Sequence, residues 1–466
     1  MVNDITVISN GTLIDGNGGA PLRDASVLIR AGRIEKVWTG RSDMPSSAKR
    51  IDAGDKFILP GMINANVHLI DGIMLMGVGG IEHLARYEGR FHEVIEEAAQ
   101  VALKNGMTTV MDTWNALKPV RQARNRIASG KVQGARIFMA GNIVGMGGPF
   151  SGDFCAHCRT VTTKAFADRI DKLFEANVGR DLGRMTPEDV RARIRDYIQQ
   201  DIDFLKVAIS DHSNPPIGPY MTFSERVLNV IVEEVRRADI PLVTHTTSVE
   251  SLYLGIKHQA DAMMHVTSTH QVAIPDYMIE EMIERRVWGE IQPTTDAFQE
   301  GIESTPGAGR WALYGGGLHR ENAKRLIKAR APILMGTDAG CTDPDVLDSM
   351  SKAELNERPW TLGEDHFLWF KAMNQFGMKP MDAIMSATKN VAIAYRKTAD
   401  IGTVEVGRYA DILLLDRDPL QDINNMRSIS MVMKEGKVID VASLPTHQVT
   451  TKSRLWCDDS TLAGRA

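Results

Sequence analysis

The feature that most constrains the fold is the alternation of short apolar runs with longer amphipathic segments through the middle of the chain. Short strands that alternate with helices are typical of βα units and a parallel sheet. Clear helical periodicity covers residues 224–238, 276–285, 321–329 and 365–376. Eight predicted strands precede such segments, and they end at Asn66, Thr113, Asn142, Ile209, Thr246, Thr267, Thr294 and Asp338. This order predicts an α/β fold with a (β/α)8 TIM-like barrel.

Both ends of the chain have a different pattern, in which short strands are separated by turns. The predicted strands cover residues 5–8, 25–29, 33–38, 402–407, 411–416 and 430–438. Neither group forms enough sheet to be stable alone. We therefore expect a small composite β-sandwich domain from residues 1–60 and 400–466, beside a catalytic barrel of residues 61–399. The long connection near residues 143–203 is predicted to be an insertion with helices of its own.

Composition excludes several classes of function. The formal net charge is −5 and the pI is about 6.2, so nucleic acid is not an expected partner. The chain has no run of about 18 apolar residues, as a membrane span requires, and the first residues do not resemble a signal peptide. Four cysteines do not make a disulfide framework in a chain of this length. We expect a reduced, cytoplasmic protein that acts on a small molecule.

Polar side chains interrupt five of the apolar runs close to the carboxyl ends of the predicted strands. A barrel strand is covered on both faces, so an ionisable group there must be paired or bind a metal. Barrel active sites are built at this end of the strands. The combination predicts one metal site, with the ligands Asn66, His68, Lys206, His245, His265 and Asp338.

The residue types suit hydrolysis. Asn66 and His68 are two positions apart, so both can face one ion from the same side of a strand. Imidazole and carboxylate ligands favour zinc, cobalt, manganese or iron. A bound ion lowers the pKa of its water to about 7 and polarises a carbonyl. Asp338 is predicted to take the proton of that water and pass it to the leaving group. Lys206 fits if carbon dioxide has converted its amine to a bridging carbamate.

Each of these residues has a simpler interpretation when it is considered alone. A histidine at a strand end can be a hydrogen-bonded core residue. Lys206 can extend its amine to solvent, and Asp338 can cap a helix. Only the five positions together, in this order, favour the metal site.

Several motifs resemble the amidohydrolase superfamily, in particular its imidazolonepropionase- and prolidase-like branch, and the resemblance covers nearly the whole chain. Residues 59–68 are similar to the first-strand motif, which begins Leu-Pro-Gly and ends His-x-His. Lys206 matches the carboxylated lysine, and Asp338 matches the aspartate of the eighth strand. His245 and His265 match the histidines of the fifth and sixth strands. Residues 402–411 resemble the segment that returns to the β domain. The resemblance implies hydrolysis by a metal-bound hydroxide, one or two divalent ions per subunit and a homo-oligomer.

One departure from the family is informative. The first motif here is Asn66-Val67-His68, where the family has His-x-His. An asparagine carbonyl is an uncharged and weaker ligand, so the resemblance leaves open whether a second ion binds. Asn-x-His is similar to the phenylurea hydrolases and the related thiocarbamate (molinate) hydrolase. That group implies herbicide substrates, which are cleaved at a urea C–N bond or a thiocarbamate C–S bond.

Other enzyme classes stay open at this stage. A prolidase-like carboxypeptidase, which hydrolyses N-acyl amino acids, needs a cation such as Arg180 or Arg184 for the substrate carboxylate. A deaminase of the same superfamily and a barrel without catalytic activity are further alternatives. The intact set of Lys206, His245, His265 and Asp338 argues against the last of these, because a binding scaffold has no need of all four.

Three weaker signals concern loops. His270 is predicted to contact the substrate or leaving group, although a solvent-exposed loop histidine is an equal alternative. Tyr253 is a candidate aromatic wall of the pocket. Cys155 and Cys158 have Cys-x-x-Cys spacing around His157, but no second pair accompanies them. They predict a tight loop beside the pocket rather than a zinc knuckle.

Overall fold

The computed structural model describes residues 5–40, 45–71, 79–211, 220–270, 272–304, 317–341, 343, 347, 350 and 352–450. Its strands are β1 (Ile5–Leu13), β2 (Leu22–Arg30), β3 (Arg33–Thr39), β4 (Lys49–Asp52), β5 (Phe57–Pro60), β6 (Met62–Val67), β7 (Met107–Asp112), β8 (Arg136–Met139), β9 (Leu205–Ala208), β10 (Leu242–His245), β11 (Ala262–Met264), β12 (Trp288–Ile291), β13 (Ile333–Met335), β14 (Ile412–Leu415), β15 (Ile429–Lys434) and β16 (Lys437–Val438).

The α-helices are α1 (Gly79–Arg86), α2 (Phe91–Lys104), α3 (Leu117–Ala128), α4 (Lys164–Glu175), α5 (Pro187–Ile198), α6 (Glu225–Arg237), α7 (Val249–Lys257), α8 (Asp276–Arg285), α9 (Asp296–Glu303), α10 (Gly317–Ala329), α11 (Lys352–Leu355), α12 (Asp365–Gln375), α13 (Pro380–Ser386) and α14 (Lys389–Ala394). None of these described helices is long and apolar enough to cross a membrane.

Strands β6 to β13 form the central architecture, which is of the TIM-barrel type. They pair in parallel and in chain order, as a three-stranded sheet β6-β7-β8 and a five-stranded sheet from β9 to β13. All eight predicted runs contain a strand. The two sheets meet through the isolated bridges Val144–Val207 and Val67–Ala339. The described strands therefore do not close into one continuous sheet, as the predicted barrel requires.

Helix α6 illustrates why the helices form where the periodicity predicts them. Val227, Leu228, Ile231 and Val235 recur at helical spacing and are buried. The first turn is acidic and the last turn is basic, which complements the helix dipole. The predicted range, 224–238, is one residue longer at each end than the helix.

Strands from both ends of the chain pair in one eight-stranded sheet. Its order is β16-β15-β14-β5-β1-β2-β3, with β4 beside β1, and the antiparallel β5–β14 pair joins the two chain ends. The predicted β-sandwich is not confirmed, because these described strands form one hydrogen-bonded sheet. The predicted strand at 402–407 is wrong: Gly402 and Gly407 have φ angles of 101° and 91°, and the segment bends and turns. Residues 451–466 of the predicted domain lie outside the described residues.

The insertion between β8 and β9 carries two α-helices, α4 and α5, as predicted. Thr163 caps α4 and Thr186 caps α5, each by accepting a backbone N–H of the first turn with its hydroxyl. Two 3-10 helices, Ala156–Val161 and Arg180–Arg184, lie in the same segment. The insertion thus has local structure that can hold loops in place beside the strand ends.

Candidate active site

The structure places five of the six predicted ligands at or just beyond the carboxyl ends of the barrel strands, and Lys206 is the second residue of β9. Each is buried, with an exposed fraction between 0% for Lys206 and 8% for Asp338. Strands β6, β9 and β10 carry Asn66, Lys206 and His245 respectively, and His68 follows β6 directly. His265 and Asp338 lie just beyond β11 and β13. This is the end of the strands where the sequence predicts the site.

His265 and Asp338 have left-handed backbone conformations, with φ angles of 61° and 59°. Such angles are uncommon for residues other than glycine, and they cluster at functional sites. The turn at Asp338 is fixed by hydrogen bonds to the neighbouring strand. Asp338 N donates to Asn66 O at 2.8 Å, and His68 N donates to Ala339 O at 2.9 Å. The first and last barrel strands are therefore held together at the candidate site.

His68 and Asp338 form the closest pair of the cluster. His68 Nε2 lies 2.8 Å from Asp338 Oδ1. Burial lowers the pKa of His68, and the neighbouring carboxylate opposes that shift only in part. Burial alone would raise the pKa of Asp338, but electrostatic interactions with His265, His68 and Lys206, together with the hydrogen bond to His68, hold it well below its usual range. Asp338 is therefore an ionised carboxylate at neutral pH.

Asn66 is hydrogen-bonded at both atoms of its amide. Its Nδ2 donates to Asp338 Oδ1 at 3.1 Å, and its Oδ1 accepts from the hydroxyl of Thr113. The Lys206 amine donates to the same hydroxyl at 3.0 Å. A chain of hydrogen bonds thus runs from Lys206 through Thr113 and Asn66 to Asp338. Sequence analysis missed Thr113, whose polarity is unremarkable for a strand end.

His245 and His265 form a second pair, with ring centroids 4.8 Å apart and an interplanar angle of 70°. Gln292 links this pair to the first one. Its side-chain nitrogen lies 3.0 Å from His265 Nδ1 and donates to Asp338 Oδ2 at 3.1 Å. Each oxygen of the Asp338 carboxylate therefore accepts a hydrogen bond from a buried amide, Oδ1 from Asn66 and Oδ2 from Gln292.

Glu290 is a second site residue that sequence analysis missed. It is fully buried on β12, and its Oε2 accepts the backbone N–H of His265 at 2.7 Å. Burial raises its pKa to about 8, and Asp338 adds to the shift. Burial lowers the pKa of Lys206 to about 8, against the attraction of Asp338 and Glu290. An ionisable residue within an apolar run was the signal used for the other strands, and it would also have found Glu290.

The two predicted substrate contacts lie apart from this cluster. His270 is partly buried in the loop after β11, has a φ angle of 56° and lies near enough to Asp211 to interact with it electrostatically. Tyr253 lies on the outward face of α7 with 43% of its surface exposed. The structure does not bring Tyr253 to the strand-end cluster, and the contact of His270 with a substrate stays a prediction.

The Cys155–Cys158 loop differs from the expected reduced state. The two sulfurs are joined in a disulfide, with Cα atoms 5.4 Å apart, a spacing that is common for such bonds. The turn between them brings the cysteines together. The neighbouring Phe154 stacks on Trp114 with ring centroids 4.6 Å apart. Trp114 and His68 pack in a T-shaped arrangement with ring centroids 5.7 Å apart. The loop therefore lies beside the candidate site, as predicted.

The side chains of the strand-end cluster are of the types that bind a divalent metal ion. Imidazoles, a carboxylate and a buried lysine are gathered at the strand ends, and His68 Nδ1 is buried without a hydrogen-bond partner among the described residues. Among the histidines, cysteines and carboxylates of the described residues, no three ligand atoms of this cluster lie within 4.8 Å of one another. The donors instead form two pairs, His68 with Asp338 and His245 with His265.

Comparison with known proteins identifies relatives with this architecture. Residues 57–439 match the model of the amidohydrolase family. The solved structure of molinate hydrolase has a TM-score of 0.94 and 52% identity, covering 97% of this chain and 98% of that one. Phenylurea hydrolase B has a TM-score of 0.93 and 46% identity, covering 97% of this chain and all of that one. The resemblance predicted from the strand-end motifs is confirmed.

A curated relative, L-hydantoinase of Paenarthrobacter aurescens, is 28% identical over 31% of this chain. The match spans 27% of that relative, well below two thirds of its length.

Proposed function

The chain belongs to the amidohydrolase family, and from this premise we propose that it is a metal-dependent hydrolase of neutral ureas or thiocarbamates. Water adds to the carbonyl carbon, the C–N or C–S bond breaks, and the proton ends on the departing nitrogen or sulfur. The observation that carries the proposal is the Asn66-Val67-His68 motif, which resembles that of phenylurea and molinate hydrolases. The 52% identity to molinate hydrolase across nearly both whole chains supports it.

His68, Asp338, His245 and His265 would hold one or two divalent ions, for which zinc, cobalt and manganese are the candidates. When bound, such an ion acidifies water and polarises a carbonyl. Asp338 takes the proton released by water and delivers it to the leaving group. Asn66 and Gln292 keep the two carboxylate oxygens in place by donating to Oδ1 and Oδ2. We propose that Asn66 orients Asp338 in addition to, or in place of, binding metal.

We propose that Lys206 carries a carbamate. Its amine is fully buried and donates to Thr113 in a cluster that also contains Asp338. Carboxylation joins the nitrogen of the protonated amine to carbon dioxide and releases two protons, which turns a cation into an anion with two oxygen ligands. Lys206→Ala should abolish turnover, and an added short carboxylic acid should restore part of it by filling the vacated space. The same acid should not rescue Asp338→Ala.

Neutral substrates are preferred over N-acyl amino acids because Arg180 is already paired. Its guanidinium donates to Asp153 at 2.8 Å and lies 3.6 Å from Asp211. A substrate carboxylate would have to compete with both aspartates for this cation. The pairing of Arg180 therefore argues against Arg180 as the cation that the prolidase-like alternative requires.

The experiment is a substrate panel with purified protein, before and after chelation and re-addition of zinc, cobalt or manganese. The panel contains an N-aryl dialkylurea, an S-alkyl thiocarbamate and an N-acyl amino acid, with products followed by mass spectrometry. We expect metal-dependent release of an aniline or a thiol. Turnover of the N-acyl amino acid alone would contradict the proposal and favour the prolidase-like alternative.

We also propose the finer architecture, a closed (β/α)8 barrel at residues 61–399 and a composite β-sandwich domain at 1–60 and 400–466. The bridges at both seams support the closed barrel, and the pairing of β5 with β14 supports a domain composed of both chain ends. A cytoplasmic location and a homo-oligomer stay predictions.

A further inference from the structure

Three side chains of the types that ligate metals lie together outside the strand-end site. Cys155, His157 and Cys158 have ligand atoms within 4.8 Å of one another. His157 Nε2 lies 3.5 Å from Cys155 Sγ and 3.9 Å from Cys158 Sγ. All three residues belong to the start of the 3-10 helix Ala156–Val161 and the residue before it. One turn of chain therefore gathers two sulfurs and one imidazole.

The surrounding loop is held in place by hydrogen bonds. Cys155 N donates to Pro149 O at 3.1 Å, and the Arg159 guanidinium donates to Phe150 O at 2.9 Å. Phe150 N in turn donates to the Asp171 carboxylate at 2.7 Å. These contacts do not involve the sulfurs, so they can hold the turn when the disulfide opens.

The two cysteines of this cluster are buried, and the histidine side faces solvent. Cys155 and Cys158 are 1% and 0% exposed, whereas His157 is exposed. Thiolates and imidazole together select zinc, cadmium or other soft and borderline ions, unlike the oxygen and nitrogen donors at the strand ends. The exposed side provides room for water as a fourth ligand.

We propose that Cys155, His157 and Cys158 bind one soft or borderline metal ion after reduction of the disulfide. Two molecules of a low-molecular-weight thiol reduce the bond: the S–S bond breaks, each cysteine gains a hydrogen, and the reductant becomes a disulfide. A divalent ion then displaces both thiol protons and forms two metal–sulfur bonds and one metal–nitrogen bond. This site shares no ligand with the candidate active site and does not depend on the proposed hydrolysis.

Cadmium is the probe, because cadmium bound to thiolates has an ultraviolet charge-transfer band that nitrogen and oxygen ligands do not give. The full chain is reduced, freed of reductant without air, and titrated with cadmium. We expect the band to saturate at one cadmium per chain and to be absent before reduction. Cys155→Ser and Cys158→Ser should each abolish this saturating band, whereas Cys341→Ser removes a thiol elsewhere and should keep it.

His157→Ala tests the imidazole at an exposed position where folding is not at risk. Its cadmium Kd should rise at least about tenfold, since even groups behind the ligands change metal affinity by 10–100-fold. Absence of the band after reduction, or an unchanged band in Cys155→Ser, would overturn the proposal. An unchanged Kd in His157→Ala would show that His157 is not a ligand, and it would overturn the proposed site of three donors.

Discussion

The Asn66 side-chain amide donates a hydrogen bond of 3.1 Å to Oδ1 of Asp338, across the seam between the first and last barrel strands. The other end of the same amide accepts from Thr113, which also accepts from Lys206. An asparagine can donate and accept at once, whereas a metal-bound histidine at this position could not connect both neighbours. The departure from His-x-His thus gives the chain an amide that donates to Asp338, the proposed proton acceptor, while it accepts from Thr113.

Replacement of Asn66 by alanine tests this orienting role. We expect kcat of Asn66→Ala to fall by roughly 10–100-fold, the usual effect of removing a group that orients a metal site. KM should change less, because the amide acts on Asp338 rather than on the substrate. Steady-state kinetics with the best substrate of the panel measures both constants. Thr113→Val, which keeps the side-chain shape but loses the hydroxyl, should lower kcat in the same direction; two variants with wild-type kcat would refute the role.

Because Gly336 has no side chain, Glu290 and Asn66 can occupy the space beside it. A Cβ at this position would lie 2.3 Å from Glu290 Cγ and 3.0 Å from Asn66 Cβ. Gly336→Ala should therefore displace buried site residues and lower kcat by at least about tenfold, since even small misplacement of reacting groups is costly. Gly19→Ala is the control, because nothing lies within 4 Å of its added Cβ. Equal kinetics for the two variants would show that the site tolerates the methyl group.

Glu234 is a buried anion whose loss should destabilise the fold away from the active site. It accepts from Arg191 at 2.8 Å and from Arg195 and Arg237 at 2.7 Å, and its side chain is 1% exposed. Glu234→Gln should lower the free energy of unfolding by about 2 kcal/mol, because three arginines lose their charged acceptor. The neighbouring Glu233, which is 59% exposed and paired with Arg191, is the control. Glu233→Gln should cost less than about 1 kcal/mol in the same urea titration.

The contribution of Glu234 should also depend on pH. Burial alone would raise its pKa, but hydrogen bonds from Arg195, Arg191 and Arg237 outweigh burial and lower the pKa to about 2. A carboxyl whose pKa is lowered on folding stabilises the protein above its unfolded pKa, about 4.3, and loses that effect as the pH falls towards 2. The difference in unfolding free energy between wild type and Glu234→Gln should therefore shrink below about pH 4.3. A difference that grows on acidification would contradict the sign.

The strand-end residues could be predicted because polar and ionisable side chains are unusual within apolar runs. Lys206 and His245 fall inside their strands, as the sequence predicts. His265 and Asp338 fall just outside, in left-handed turns. Apolar periodicity has no signal for a positive φ angle at a residue other than glycine, so the predicted strands are too long there. Gly402 and Gly407, the first and last residues of the predicted strand at 402–407, are such a signal, and it argues against a strand there.

Contacts between distant residues set the limit of sequence analysis. The hydrogen bonds of Asn66 reach Thr113 and Asp338, which are 47 and 272 residues away. Nothing local in the sequence selects these partners, because the barrel topology brings them together. The same holds for Gln292, whose amide connects His265 to Asp338. Residue identity therefore indicated the candidate ligands, whereas their hydrogen-bond partners became visible only in the fold.

The most direct test of the central claim measures turnover and bound metal in Asp338→Asn beside the wild type. The asparagine keeps the shape and one oxygen but cannot take a proton from water at neutral pH. We predict that the variant retains metal and loses most of its turnover of the urea or thiocarbamate. Unimpaired turnover in Asp338→Asn would contradict the assignment of Asp338 as the proton acceptor, and with it the proposed mechanism at the strand ends.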